Sequence, residues 1–189
     1  MITGIIMASG FSKRMNRNKL ILEFQGIPVI ERVIKAIKES NVDNIIMVYR
    51  EDSIRELGEK SGIETIYNDK AKLGQSQSIK LGIEHAPVGT KGFMFFVGDQ
   101  PFLSTAVINK LIDVFKEKKY LIVVPEYNGK RGNPVIFSGT LKDELLNIRG
   151  DKGGRTIIRR RHDEVKIVSF EESTTGKDID TWDEYIKWR

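Results

Sequence analysis

Apolar residues along this chain follow two alternating patterns. Short apolar runs mark strands at Thr3 to Ala8, Asn44 to Tyr49, Ile63 to Tyr67, Gly92 to Val97, Tyr120 to Val124, Pro134 to Phe137 and Val165 to Val168. The run Gly92-Phe-Met-Phe-Phe-Val97 is apolar without a break, as expected of a strand buried on both faces. Pro125 stops the Tyr120 strand, and Pro134 stands at the edge of its own strand. Between these runs the spacing becomes helical. Val29, Ile30, Val33, Ile34 and Ile37 follow Pro28, a residue suited to a helix start. Asp52 to Gly62 reads as a short helix closed by glycine, and Gln75 to His85 as another. Ser104 caps a helix carrying Val107, Ile108, Leu111, Ile112 and Phe115. Leu141 to Ile148, Gly154 to Arg161 and Thr181 to Trp188 are also helical.

Strands alternating with helices predict an α/β fold: a three-layer α/β/α, Rossmann-like arrangement around a mostly parallel twisted sheet. The piece near Asn133 to Phe137 breaks the alternation and is a candidate antiparallel strand. No linker, repeat or low-complexity stretch divides residues 1–189, so a single domain is expected. In such sheets ligands bind beyond the carboxyl ends of the strands.

Composition narrows the class. There are no cysteines and only two histidines, which excludes disulfides, thiolate zinc sites and histidine-rich metal centres. No apolar run reaches the ~20 residues of a membrane span, and no signal peptide is evident, so a cytoplasmic location is expected. The net charge of +5 suits anionic ligands. No basic run is interleaved with aromatics, which argues against nucleic acid. Arg159-Arg160-Arg161-His162 reads as a solvated helix end.

The stretch Ile5 to Leu22 concentrates the candidate chemistry. A strand ends in Ser9-Gly10, where backbone N–H groups can approach a ligand, and Lys13, Arg14, Arg17 and Lys19 follow within seven positions. This suits a nucleoside triphosphate, but taken alone the loop reads more readily as a solvated surface loop. Neither GxGxxG nor GxxxxGK[ST] occurs; Gly150-Asp-Lys-Gly-Gly-Arg-Thr is one residue short of the latter and has Arg for Lys. Gly98-Asp99-Gln100-Pro101 after the most apolar strand is a Mg²⁺ ligand or a turn. In Asp178-Ile179-Asp180-Thr181 the acids either face the crevice or cap the last helix. Leu73-Gly74-Gln75-Ser76-Gln77-Ser78 offers hydroxyls at a helix start, and Asn68-Asp69 a turn.

Met7-Ala8-Ser9-Gly10, Ser12, Arg14-Met15, Lys19-Leu20, Gly26 and Pro28 stand in register with the signature LAAGxSxRMGxxKL, and the chain resembles the MobA/MocA-like nucleotidyltransferases. Ser9 replaces Ala or Gly, and Asn16 replaces Gly. The later segments resemble the family's GxSxSL, GDQP, RGxPVxF, GDxGAR and DIDTPED, in that order, with Trp182 for the proline of the last. The resemblance implies the fold of the nucleotide-diphospho-sugar transferases. It implies that Arg14 and Lys19 neutralise triphosphate and that Asp99, with Asp180, holds Mg²⁺. Ala8, Ser9, Gly10, Lys19, Asp69, Gly74 and Ser76 are then on the nucleotide side, and Asn133, Asp151 and Arg155 on the acceptor side.

The activity so implied is that of a molybdenum cofactor cytidylyltransferase. It transfers CMP from CTP to the terminal phosphate of the molybdopterin cofactor and releases pyrophosphate, with a recipient molybdoenzyme as a transient partner. A side chain at Ser9 narrows the space for a purine, which favours CTP. The alternatives are a guanylyltransferase, a transferase acting on another small phosphate or sugar phosphate, and a non-catalytic nucleotide-binding module. Both carboxylates together favour an enzyme, because binding alone does not need them.

Overall fold

The computed structural model describes residues 1–12, 14–15, 17–171 and 174–188, with only the backbone of Lys152. Lys13 and Asn16, two positions of the first-loop pattern, lie outside the described residues.

Each apolar run forms a strand whose alternate side chains enter opposite layers. In chain order the elements are β1 (Ile2–Ala8), β2 (Glu23–Phe24), β3 (Ile27–Pro28), α1 (Val29–Lys38), β4 (Asn44–Tyr49), α2 (Asp52–Lys60) and β5 (Glu64–Tyr67). Then follow α3 (Gln75–His85), β6 (Gly92–Val97), α4 (Thr105–Lys116), β7 (Ile122–Tyr127), β8 (Lys130–Arg131) and β9 (Val135–Ser138). The chain ends in α5 (Lys142–Leu146), α6 (Arg155–Arg160), β10 (Val165–Phe170) and α7 (Trp182–Trp188). The main sheet has the order β10-β7-β9-β6-β1-β4-β5, with β8 on β7. β1 pairs in parallel with β4 and β6, placing Ile5 beside Ile46 and Phe95. β9 is antiparallel to both its neighbours, β6 and β7, as the break in alternation predicts.

The pleat sorts the core into two layers. Ile6, Met47 and Phe96 meet Ile30, Val33, Ile34 and Ile37 of α1 and Ile108 and Leu111 of α4. Ile5, Val48, Phe95 and Phe137 meet Ile79 and Ile83 of α3, Leu145 of α5 and Ile157 of α6. Full burial of each such side chain is worth about 1.5–3 kcal/mol. α3 crosses β1 closely because residue 82 is glycine: a Cβ there would stand 2.4 Å from Ile5 Cγ2. A third, smaller cluster joins Met15, Phe24, Val29, Ile179 and Tyr185, tying the β2–β3 hairpin to α7.

Several boundaries differ from the sequence reading. β7 starts at Ile122 and runs through Pro125 to Tyr127. Pro125 presents its carbonyl to the N–H of Gly132, on the side where β9 pairing has already ended at Val123, so the missing N–H costs no ladder bond. Pro28 pairs with Glu23 and stands just before α1. A 3₁₀ turn (Gly139–Leu141) precedes α5, and β10 continues to Phe170 beside β7. No described helix is long and apolar enough to cross a membrane.

Candidate active site

The site forms where strand order reverses. From β1 the chain moves out through β4 to β5, then returns to place β6 on the other side of β1. The loops leaving β1 and β6 therefore part, and a crevice opens at their carboxyl ends. A cavity of about 450 Å³ lies there. The β1 loop lines it with Ser9, Gly10, Ser12, Arg14 and Lys19, and the β6 loop with Gly98 and Asp99.

Lys19 is held by its backbone. It opens a 3₁₀ turn (Lys19–Ile21) capped by Asn18, and its N–H donates to Ser12 Oγ at 3.3 Å. Its ammonium reaches Asp99 Oδ2 at 2.5 Å and Asp180 Oδ1 at 2.6 Å. Arg14 pairs with the other oxygen of Asp180 at 2.9 Å. Four residues predicted from three distant segments thus meet at one point.

Asp180 arrives on the C-terminal segment, which is fastened from several sides. The Ile179 N–H donates to the Asp99 carbonyl at 3.1 Å. Gln100, itself buried, donates to Asp178 Oδ1 at 2.7 Å. The Trp182 indole N–H donates to the Met15 carbonyl at 3.2 Å. Thr181 and Glu184 form a reciprocal capping box: Thr181 Oγ1 accepts from Glu184 N, and Glu184 accepts from the N–H groups of Asp180 and Thr181. Capping of α7 therefore falls to Thr181 and Glu184, and the Asp180 carboxylate is left for the cavity.

The charges are strongly coupled. Burial opposes the Lys19 ammonium, but the charge of Asp99 and hydrogen bonds to Asp180 and Asp99 outweigh it, so its pKa is raised. Burial likewise opposes the Asp180 carboxylate, yet Lys19 and then Arg14 hold its pKa below the ordinary value. Asp178 keeps much of its surface in solvent; the protein crowded around its carboxyl, and then the charge of Asp99, raise it to about 6.

Asp99 Oδ1 is buried without a hydrogen-bond partner among the described residues. An unused acceptor beside a second carboxylate suits a divalent cation. No group of three or more His, Cys, Asp or Glu among the described residues is placed to hold a metal. The arrangement therefore fits Mg²⁺ bound by one or two carboxylates and completed by substrate phosphates and water.

A hydroxyl cluster forms another part of the cavity wall. Ser9 Oγ and Ser78 Oγ are 2.6 Å apart, and the Asn68 amide donates to them at 3.1 and 3.2 Å. Asn68 Oδ1 in turn accepts from the Lys70 N–H. All three side chains are buried.

The remaining predicted residues divide. Gly74 lines the cavity and leads into α3 with φ of +99°; a Cβ there would meet Asp151 Oδ1 at 2.6 Å, so glycine is required. Asp151 also lines this cavity, where Oδ1 accepts from the first N–H of α3, Gln75 N. Ala8 is buried at the end of β1, beneath the loop. Asp69 is exposed and off the cavity wall, and its neighbour Asn68 turns inward. Ser76 is fully buried, its hydroxyl has no hydrogen-bond partner among the described residues, and it is off the wall; Ser78, half a turn on, faces the cavity. Arg17 is exposed, away from the wall. Asn133 and Arg155 line a second cavity of about 250 Å³, with Arg131 and Arg159. It adjoins the first through Met7 and Gln75. Sequence reasoning also missed Phe11, which lines the first cavity with Arg50 stacked 4.4 Å from its ring centre. Nothing local to Arg50 announces that contact.

Known proteins resemble this chain in sequence and in fold. Purine catabolism protein PucB of Bacillus subtilis is 27% identical, over 97% of this chain and 94% of its own. A probable molybdenum cofactor guanylyltransferase of Pyrococcus furiosus is 29% identical, over 76% of this chain and 71% of its own. Among solved structures, Rv0371c of Mycobacterium tuberculosis superimposes with a TM-score of 0.88 at 24% identity, covering 99% of this chain and 96% of that one. A structure of Rv0371c complexed with manganese gives 0.84 at 23% identity, covering 99% and 97%. Residues 4–165 match the MobA-like NTP transferase domain, and the chain belongs to that family of nucleotidyltransferases.

Proposed function

We propose that the protein transfers CMP from CTP to the terminal phosphate of the molybdopterin cofactor, releasing pyrophosphate, with Mg²⁺ held by Asp99 and Asp180. The convergence of Arg14, Lys19, Asp99 and Asp180 in the wall of one cavity carries this reading. Simple nucleotide binding has no use for two carboxylates beside two cations, since acids repel phosphate unless a metal intervenes.

Arg14 and Lys19 face the triphosphate and offset the charge that builds on the departing pyrophosphate. Mg²⁺ supplies further charge compensation on the phosphate oxygens. The acceptor phosphate is already ionised, so positioning for in-line attack is the main task left to the protein. The second cavity suits the acceptor: Arg131, Arg155 and Arg159 match an anion, while Phe95 and Phe137 offer flat apolar walls to a ring system.

The hydroxyl cluster bears on the base. Ser9 and Ser78 carry two hydroxyl protons, and the bond between them uses one. One hydroxyl proton is left for a ligand, which matches a carbonyl oxygen such as the cytosine O2. The filled wall at Ser9 disfavours a larger purine.

The test is pyrophosphate release with each of the four triphosphates, Mg²⁺ and the molybdopterin cofactor. Release with CTP alone supports the reading. Release with GTP alone assigns the activity carried in the name of the Pyrococcus furiosus relative. Release only with a sugar phosphate in place of the cofactor moves the acceptor assignment, and bound nucleotide without release under any condition rejects an enzyme.

A further inference from the structure

The ammonium of Lys19 stands on the two carboxylates to which the metal is assigned, at 2.5 Å from Asp99 and 2.6 Å from Asp180. Asp99 Oδ1 is free of the ammonium, but an ion that also reaches Asp180 must take the place between the two carboxylates where the ammonium stands, and two cations at contact distance repel. The Lys19 side chain is only 14% exposed, so water screens this pairing weakly, whereas Arg14 is 68% exposed and holds only the outer oxygen of Asp180. With no third acidic or histidine side chain placed to hold the ion among the described residues, little within the protein offsets that displacement. A polyphosphate changes this balance twice. It gives the ammonium a new anion and gives the metal the ligands that the protein lacks.

We propose that Lys19 is the internal cation of the metal site: it keeps Asp99 and Asp180 paired until a polyphosphate draws it away, so that nucleotide binds first and metal follows. The inference rests on the reading of Asp99 and Asp180 as metal ligands. The local structure suits such a swing. The Lys19 backbone is fixed by Ser12 and by the Asn18 cap, while its four-carbon stem pivots within a cavity whose wall includes Gly10 and Ser12. Linkage then requires that metal tighten nucleotide by the same factor by which nucleotide tightens metal. It also keeps the acid pair from capturing divalent ions before substrate arrives.

The experiment titrates Mn²⁺ against the whole chain without nucleotide, following the free ion by electron paramagnetic resonance. Wild type should bind Mn²⁺ weakly, and K19M about tenfold or more tightly. R14M removes the same charge from beside Asp180 without freeing the central position, and should change affinity by about twofold at most. In K19M/D99N the tight site should vanish. K19Q is read in the same way as K19M, so a folding defect in either leaves the comparison intact. Equal tightening by R14M and K19M would reduce the effect to net charge and overturn the proposal, as would K19M and K19Q binding no better than wild type. A separate measurement isolates the metal reading: calorimetry of α,β-methylene-CTP with and without Mn²⁺. If Mn²⁺ tightens the analogue in wild type and not in D99N while K19M and K19Q fail the first test, the metal site stands and the gate does not. If D99N leaves that Mn²⁺ effect intact, the metal assignment itself fails and takes the gate with it.

Discussion

Asn68→Ala tests the buried polar cluster that backs Ser9 and Ser78 in the cavity wall. Asn68 is 1% exposed and makes three hydrogen bonds: donations to Ser9 and Ser78, and acceptance from the Lys70 N–H. At about 1 kcal/mol net for each bond, the loss is about 3 kcal/mol. Lys70 is exposed, so its N–H can turn to water, which lowers the expected cost to about 2–3 kcal/mol. For a chain of this size that is a fall of about 5–10 °C in Tm. Urea unfolding measures the free energy directly, with an unchanged slope as the sign that the folded state is otherwise intact. In steady-state assays the nucleotide KM should rise while kcat changes little, because the cluster binds ground and transition states alike. Ser9→Ala removes only one member and should cost about half as much. A loss below about 0.5 kcal/mol for Asn68→Ala would show that the cluster is an incidental contact and would remove its role at the base.

Three further outcomes are expected. Asp99→Asn keeps the side-chain shape and removes the charge, so kcat/KM should fall by about a hundredfold or more with the circular dichroism spectrum unchanged; full activity would end the metal assignment. Gly82→Ala drives a methyl against Ile5 Cγ2, with the ideal position only 2.4 Å away, and should cost about 1–3 kcal/mol in urea unfolding; no change would contradict the close crossing of α3 over β1. Glu144 is held below its ordinary value of 4.5 by hydrogen bonds from Arg161 and Arg160. A lowered carboxyl pKa stabilises above the ordinary value, and the gain is lost as pH falls through the folded one. The Tm difference between wild type and Glu144→Gln should therefore be present at neutral pH and shrink as pH falls below 4.5, and a difference that grows in acid would reverse this assignment.

Much of the fold is legible because strand and helix patterns are local. Unbroken apolar runs such as Ile5-Ile6 and three-four spacings such as Ile30, Val33, Ile34 and Ile37 report burial whatever the chain does elsewhere. The signature-loop residues and Asp99 are legible for a related reason: both follow strands, and strand ends are where such sheets bind ligands. The sequence says least where the choice lies between neighbours. Asn68 faces in and Asp69 out, and Ser78 lines the cavity where Ser76 does not. A turn residue's direction depends on a few backbone angles, and a helix's facing on what it packs against; composition records neither. Pro125 misleads in the same manner, since its cost depends on whether a neighbouring strand needs its nitrogen, and β9 has already ended.

By itself, the order of apolar and polar residues determined the α/β class, the mainly parallel sheet and the positions of the loops rich in cations and acids. Only the tertiary structure decided that Lys19 and Asp180, 161 positions apart, touch; that Asp180 faces the cavity while Thr181 and Glu184 cap the helix; and that the two cavities adjoin. The physical reason is range. Periodicity encodes interactions across a few residues, whereas the active-site contacts exist because strand order reverses at β1 and a distant terminal helix packs back over the first loop.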